Sequence, residues 1–467
     1  MNSLWTSQEI AAATQGHCSG VWDATAVGID TRTLPQGGLF VALPGVKVDG
    51  HDFVQQALAN GAAGALVSKA VSGVDASRLV MVKNVETALQ QLGVLARARS
   101  AAKIVGVTGS VGKTGAKEML AVALGAVGHS YATKGNLNNH LGVPLSLANM
   151  PCDAAYAIIE MGMNHAGEIS PLSHWARPDV ALITTVEAVH IEHLKTIEAI
   201  ADEKAAIFDG MGGRGIAVLN ADNAHFARLK KHAEAKELDR VMSFGAHAKA
   251  VCRLVHYSIE DDHSLVEAVI AGTPVAYRLG TVGKHWAVMS VAVLGIVDAL
   301  GGDLAVSAAA LEYFVEPKGR GQIRKLATQG GYLRLIDDSY NASPVSVKGA
   351  IEKLAGMRDA SATKTRTLVV LGDMLELGEH AEEMHVGLVP TLINNQMDLV
   401  FAAGTFMEKM YHALPESMRG AYRATSRELA PAVVGALQAQ DLVLVKGSRG
   451  SRMDVVVAAM EENADAL

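Results

Sequence analysis

Gly106-Val-Thr-Gly-Ser-Val-Gly-Lys-Thr-Gly115 is the stretch that decides how this chain folds. It follows an apolar run, Ala101 to Val107, and precedes a segment with helical character, Ala116 to Val127. A strand, a glycine turn and a helix in that order converge backbone N–H groups on an anion. The helix N-terminus adds its partial positive charge. The predicted phosphate-binding residues are Gly109, Ser110, Gly112, Lys113 and Thr114. Lys113 reaches the β- and γ-phosphates, and the Thr114 hydroxyl holds Mg²⁺. Val107 stands where the usual pattern has its first glycine, so the working pattern is Thr108-Gly-Ser-Val-Gly-Lys-Thr114. The context predicts nucleotide binding and an ATP-using enzyme.

Working outward, 467 residues are too many for one hydrophobic core and imply two to four domains. Apolar residues make up 49%, enough to fill several cores. A net charge of −7 gives no footprint for nucleic acid or an anionic membrane, so an anionic substrate needs local basic residues. Cys18, Cys152 and Cys252 lie too far apart for a disulfide framework or a zinc site. Met1 to Ile10 lacks the basic and apolar regions of a signal peptide, and Ala287 to Val297 is too short to span a bilayer. The expectation is a soluble cytoplasmic protein, a monomer with no nucleic-acid partner and no membrane span.

Three blocks are predicted, at residues 1–99, 100–316 and 317–467. The first has strand-like runs at Leu39 to Leu43, Ala65 to Val67 and Leu79 to Val82, separated by helical stretches. The second adds buried-strand candidates at Ala155 to Glu160, Val180 to Val186 and Gly215 to Leu219. The third has Leu333 to Asp337, Thr367 to Leu371, Leu399 to Ala403 and Leu442 to Val445. Strands alternating with helices predict an α/β fold whose parallel sheets are covered by helices.

Several polar groups follow these strands. Glu160 ends one and is either a metal-facing carboxylate or a solvated strand-end acid. His190 and His193 follow another; each reads alone as a surface or core histidine, and position favours His190. Lys204, in a predicted helix from Ile197 to Phe208, reads by spacing as an ordinary surface lysine. Asp337-Asp-Ser-Tyr-Asn-Ala-Ser-Pro344 is dense in turn formers and is either a plain turn or a polar site. Leu371-Gly-Asp-Met-Leu-Glu-Leu-Gly378 and Val445-Lys-Gly-Ser-Arg-Gly450 also follow strands. The second of these offers two cations and backbone amides suited to a carboxylate or phosphate.

Together these stretches resemble a Mur ligase, one of the ATP-dependent amino-acid-adding enzymes of peptidoglycan synthesis. The similarity extends over Ile29-Asp-Thr-Arg32, Gly45 to Phe53, the phosphate loop, Gly135-Asn-Leu-Asn-Asn-His-Leu-Gly-Val-Pro144, Glu160 to Ile169, Asn220-Ala-Asp222 and the three third-block loops. It implies three domains: a small α/β nucleotide-sugar domain, a central P-loop ATPase-like parallel sheet and a C-terminal Rossmann-like domain. The implied reaction is addition of D-Ala-D-Ala to UDP-MurNAc-tripeptide through an acyl phosphate. The resemblance puts Thr114, Glu160 and His190 around Mg²⁺, and Lys204 where the family often has a carbamylated lysine binding a second Mg²⁺. It assigns Lys113, His190, Lys204 and Arg320 to catalysis. ATP contacts fall to Asn138, Asn139, Arg320, Asp338 and Asn341. Thr31 and Arg32 hold the UDP-sugar, and Asp373, Lys446 and Arg449 the rest of the substrate. The sequence departs from the family twice. Trp286 follows Gly283-Lys-His285 where Asn is common, and it either stacks on adenine or belongs to a helix core. Thr31 stands where Ser is usual. The competing readings are another amide ligase of the same fold and a P-loop binding module without chemistry.

Overall fold

In the computed structural model, residues 3–45, 47–189, 191–328, 330–360 and 365–463 are described. The strand Lys103–Thr108 lies inside a nine-stranded sheet. From one edge the order is Ser130–Ala132, Tyr156–Glu160, Lys103–Thr108, Val180–Ile183, Ile216–Asn220, Arg240–Gly245 and Cys252–Glu260. Those seven run parallel. The side-chain period of two separates two cores. Val105, Val107, Leu182 and Val218 face the helices Lys113–Gly125 and Lys284–Ala299. Ile104, Ile159, Ile183 and Leu219 face Ile169–Ala176 and Ile197–Ala205.

The sheet then continues with two antiparallel strands, His263–Ile270 and Thr273–Leu279, which the strand–helix alternation did not predict. Their turns contain Asp261, Ala271 and Gly272, all at positive φ, the geometry that tight hairpins need. Burial alternates along His263–Ile270, so this extension covers the helix Lys284–Ala299 with one face only.

The first block forms its own parallel sheet, ordered Val27–Gly28, Leu39–Val41, Gly64–Val67 and Leu79–Met81. It is tied to the central unit by Trp5 Nε1, which donates to the Ala148 carbonyl at 2.8 Å. Asn149 exchanges two hydrogen bonds with the Val27 backbone, at 2.9 and 2.8 Å.

The third block is a six-stranded sheet ordered Gln322–Thr328, Gly331–Asp338, Leu442–Lys446, Thr367–Gly372, Leu399–Ala403 and Arg419–Arg423. Only the first pair is antiparallel. Its helix Pro344–Asp359 begins on a capping box, with Ser343 as cap and Pro at the first turn. That explains how a turn-dense sequence runs directly into a helix. A buried ion pair joins the blocks: Lys353 Nζ lies 2.6 Å from Glu316 Oε1 and also donates to the Gly321 carbonyl at 2.8 Å.

Candidate active site

The carboxyl ends of the central strands carry the polar groups, as open α/β sheets favour. Gly109 and Gly112 sit at φ +150° and +87°. A Cβ at Gly109 would lie 1.9 Å from Thr184 Oγ1, so no side chain fits there. The loop is stapled to the end of the neighbouring strand. Thr184 Oγ1 donates to the Val111 carbonyl at 2.6 Å, Ser110 N to the Thr185 carbonyl at 2.9 Å, and Glu187 N to Ser110 Oγ at 2.9 Å. Lys113 Nζ folds onto the Gly109 carbonyl at 2.7 Å. Burial holds its pKa below the usual lysine range; Glu160 works against that shift and the Arg320 guanidinium adds to it. Arg320 belongs to the third block, so the two cations approach across the cleft.

Thr114 Oγ1, Thr108 Oγ1 and Glu160 Oε2 are buried, and none has a hydrogen-bond partner among the described residues. Glu160 is 1% exposed, which removes the solvated-acid reading. Its other oxygen, Oε1, accepts from Asn138 Nδ2 at 2.8 Å. A hydroxyl and a carboxylate oxygen left without donors are hard oxygen ligands that suit Mg²⁺. Asn138 therefore meets the carboxylate. Asn139 Oδ1 accepts from Leu141 N and Gly142 N at 3.2 and 2.9 Å and starts the next helix. His190 lies outside the described residues. His193 packs its ring 4.6 Å from that of His165.

Lys204 corrects the reading from spacing. It is 2% exposed, not a surface lysine. Burial and the charge of Lys113 push its pKa well below the usual lysine value, with the adjacent Glu203 opposing. Glu203 is itself engaged, accepting from Gly167 N and Ile169 N at 2.7 and 2.9 Å.

The third-block wall is organised differently. Lys446 Nζ donates to Asp338 Oδ2 at 2.7 Å and to the Asn341 carbonyl at 2.8 Å. Burial raises the Asp338 pKa, and Lys446 opposes the rise. The guanidinium carbons of Arg320 and Arg449 lie 4.2 and 5.8 Å from the centre of the Tyr340 ring. Asp373 Oδ1 accepts from Phe406 N and Met407 N at 3.1 and 2.9 Å, at the start of the helix Thr405–Ala413. In the first block, the exposed Arg32 guanidinium is held by Asp30, and Thr31 lies between them.

Three residues here were not singled out by sequence. Tyr340 carries two arginines. Lys353 bridges blocks. His285 keeps solvent contact but faces Lys353 and Lys446; surrounding protein and those ammoniums hold its pKa down at about 3. Trp286 settles into the core. It is 6% exposed, and a Cβ at Gly115 would lie 2.1 Å from its ring.

Comparison with known proteins matches three family models. The Mur ligase family catalytic domain covers residues 23–127, the Mur ligase middle domain residues 107–297, and the Mur ligase glutamate ligase domain residues 319–449. The chain is 33% identical to a UDP-N-acetylmuramoyl-tripeptide–D-alanyl-D-alanine ligase of Rickettsia prowazekii, over 97% of this chain and 99% of that one. It is 34% identical to the Escherichia coli protein of the same name, over 94% of each. Among solved structures, MurF from Acinetobacter baumannii superposes with a TM-score of 0.83 at 28% identity, covering 98% of this chain and 99% of that one. A MurF ligase from Thermotoga maritima in complex with ADP gives 0.76 at 25% identity, covering 94% and 97%.

Proposed function

The chain belongs to the Mur ligase family, and on that premise we propose that it joins D-alanyl-D-alanine to UDP-N-acetylmuramoyl-tripeptide using ATP. One observation carries the reading. A phosphate loop beside a buried hydroxyl, Thr114 Oγ1, and a buried carboxylate oxygen, Glu160 Oε2, both without partners among the described residues, faces a third-block wall bearing Arg320, Lys446 and Arg449.

In this reaction the terminal carboxylate of the tripeptide attacks the γ-phosphorus of ATP, and ADP leaves. The amine of D-Ala-D-Ala then adds to the acyl phosphate. The tetrahedral intermediate collapses with loss of phosphate and a proton, leaving the amide. Negative charge accumulates on phosphoryl oxygens, so positioned cations and loop amides supply most of the acceleration. Lys113 and Arg320 approach from opposite walls and suit that task. Thr31 and Arg32 hold the nucleotide-sugar end, while Asp373, Lys446 and Arg449 hold the peptide end. Asn139, Asp338 and Asn341 border the nucleotide.

Mg²⁺ would be held by Thr114 and Glu160, together with His190, and would neutralise phosphate charge and draw carboxylate and phosphoryl group together. The buried Lys204 suits carbamylation by CO₂, because a lowered pKa provides the neutral amine that CO₂ needs. As a carbamate it would offer anionic oxygen to a second Mg²⁺. The chain divides into functional units at 1–99, 100–316 and 317–467, and acts as a cytoplasmic monomer. Among the described residues no helix is long and apolar enough to cross a membrane.

The test is phosphate release with UDP-MurNAc-tripeptide and ATP, with and without D-Ala-D-Ala, and with glutamate in its place. Release that requires D-Ala-D-Ala supports the reading. Release driven by glutamate would move the chain to another amide ligase of this fold.

A further inference from the structure

Lys117 lies on the phosphate-loop helix, one turn beyond Lys113 and three residues after Thr114. Its side chain is fully buried. A buried ammonium is costly unless its hydrogen bonds are met. Here they are met by a loop, not by a strand or helix end. Nζ donates to the Thr133 carbonyl at 2.6 Å and to the Gly135 carbonyl at 3.3 Å. The Glu118 carboxylate closes on it from the rim at 2.7 Å.

Both carbonyls belong to the segment that delivers Asn138. Thr133 also holds the strand that delivers Glu160: Glu160 N donates to Thr133 Oγ1 at 3.2 Å, and Thr133 Oγ1 donates to the Ile158 carbonyl at 3.4 Å. Further along, Gly162 N donates to the Asn138 carbonyl at 2.8 Å, and Asn138 Nδ2 holds Glu160 Oε1. A Cβ at Gly162 would lie 2.9 Å from the Asn138 side chain, so the contact is close-packed. One helix thus presents Thr114 Oγ1 directly and, through Lys117, fixes the loop that orients the Glu160 carboxylate. Two of the buried oxygens without partners among the described residues, Thr114 Oγ1 and Glu160 Oε2, are set relative to each other by this brace.

We propose that Lys117 is a positioning residue for the divalent-cation site: its ammonium pins the Thr133–Gly135 loop so that Asn138 turns Glu160 toward Thr114. This rests on the proposed assignment of the cation to Thr114 and Glu160. Lys117 Nζ is committed to the two carbonyls and to Glu118. Its effect runs through two carbonyls and one asparagine, so its removal weakens cation binding and leaves the phosphate loop intact.

The probe is Mn²⁺, counted by electron paramagnetic resonance with a non-hydrolysable ATP analogue, on the full-length protein. Nucleotide affinity is measured separately in EDTA. Lys117→Met fills the volume without the charge, and Lys117→Gln keeps one donor. Orienting partners of this kind typically carry roughly 10- to 100-fold in metal affinity. The expected result is a Mn²⁺ affinity at least about tenfold weaker in Lys117→Met, smaller weakening in Lys117→Gln, and unchanged nucleotide affinity in EDTA. Adding Asn138→Ala to Lys117→Met should weaken Mn²⁺ binding little further, because both act through one carboxylate. A folded Lys117→Met with Mn²⁺ affinity within twofold of wild type would overturn the proposal, as would failure of both variants to fold, since Lys117 would then serve the core. If the wild-type protein binds no Mn²⁺ with the analogue, the cation assignment itself fails, an outcome distinct from the other two.

Discussion

The two walls of the cleft solve the problem of buried polarity in opposite ways. On the central wall, Thr114 Oγ1 and Glu160 Oε2 are buried with no partner among the described residues, and Lys113 and Lys204 have lowered pKa values. On the third-block wall the charges are already matched to each other: Lys446 with Asp338, Arg320 and Arg449 on Tyr340. Unmet groups are costly and hold their geometry only if the fold around them is rigid. The central wall has that rigidity, with its glycine loop stapled to Thr184, Thr185 and Glu187. The third-block wall can exchange one partner for another as ligands arrive. One wall is therefore built to receive a metal and phosphates, the other to rearrange around them.

The largest effect should come from the central wall. Lys113→Ala should lower kcat/KM by about a thousandfold, the scale of losing one preorganised charge-stabilising donor. Thermal unfolding should change little, because among the described residues Lys113 hydrogen-bonds to carbonyls of its own loop. Steady-state kinetics near wild type would show that the two walls do not differ as described.

Lys204→Ala comes next, at about a hundredfold. Acetate or formate should restore part of the activity by replacing the anionic oxygens. Lys204→Arg should not respond, because a guanidinium stays charged. The sign with pH follows from the lowered pKa. The neutral amine predominates above the folded-state pKa and is lost as pH falls through it. Reactivation of CO₂-depleted enzyme by bicarbonate should therefore slow on acidification. Full activity of both variants at limiting Mg²⁺ would return Lys204 to a packing role.

On the third-block wall the expected change is in stability as well as rate. Lys446→Met removes the ammonium hydrogen-bonded to the partly buried Asp338 and leaves it the weaker influence of Lys353. It should cost about 2 kcal/mol, below the range for a fully buried pair because Asp338 keeps some solvent. The double variant Lys446→Met with Asp338→Asn should recover much of that loss in urea unfolding. Simple additivity would mean that the pair is not coupled.

The smallest effect belongs to Asp373→Ala. Loss of its bonds to Phe406 N and Met407 N removes a helix-start acceptor and should cost about 1 kcal/mol. Nucleotide affinity should stay unchanged in an equilibrium titration. A large drop in ATP affinity would put Asp373 in the nucleotide wall and blur the contrast.

Much of the fold was legible because its strands are buried on both faces. Runs such as Val180–Ile183 and Leu442–Lys446 leave little other choice. The hairpins from Cys252 to Leu279 were not legible. Half-exposed strands with residues such as His256, Glu267 and Arg278 carry a weaker pattern, and their turns rest on Asp261 and Ala271 taking positive φ. Within the site, Gly109, Gly112, Lys113 and Thr114 declare themselves by local spacing. Lys117 does not, because it reads as one more polar position on a helix.

The sequence by itself determined the strand–loop–helix that cradles phosphate, since its chemistry is local: glycines that take unusual backbone angles, amides at a helix start, and a lysine and a threonine at fixed offsets. It also determined that Glu160 ends a buried strand and that the Asp337-Asp338 pair lies where another finishes, which the structure extends by one residue to Asp338. Only the tertiary structure decided that Lys204 is buried within reach of the Lys113 charge, that the Arg320 charge acts on Lys113 from the third block, and that Trp286 belongs to the core. Those facts depend on contacts between residues far apart in the chain. Burial and charge proximity are properties of the packed fold, and local spacing does not encode them.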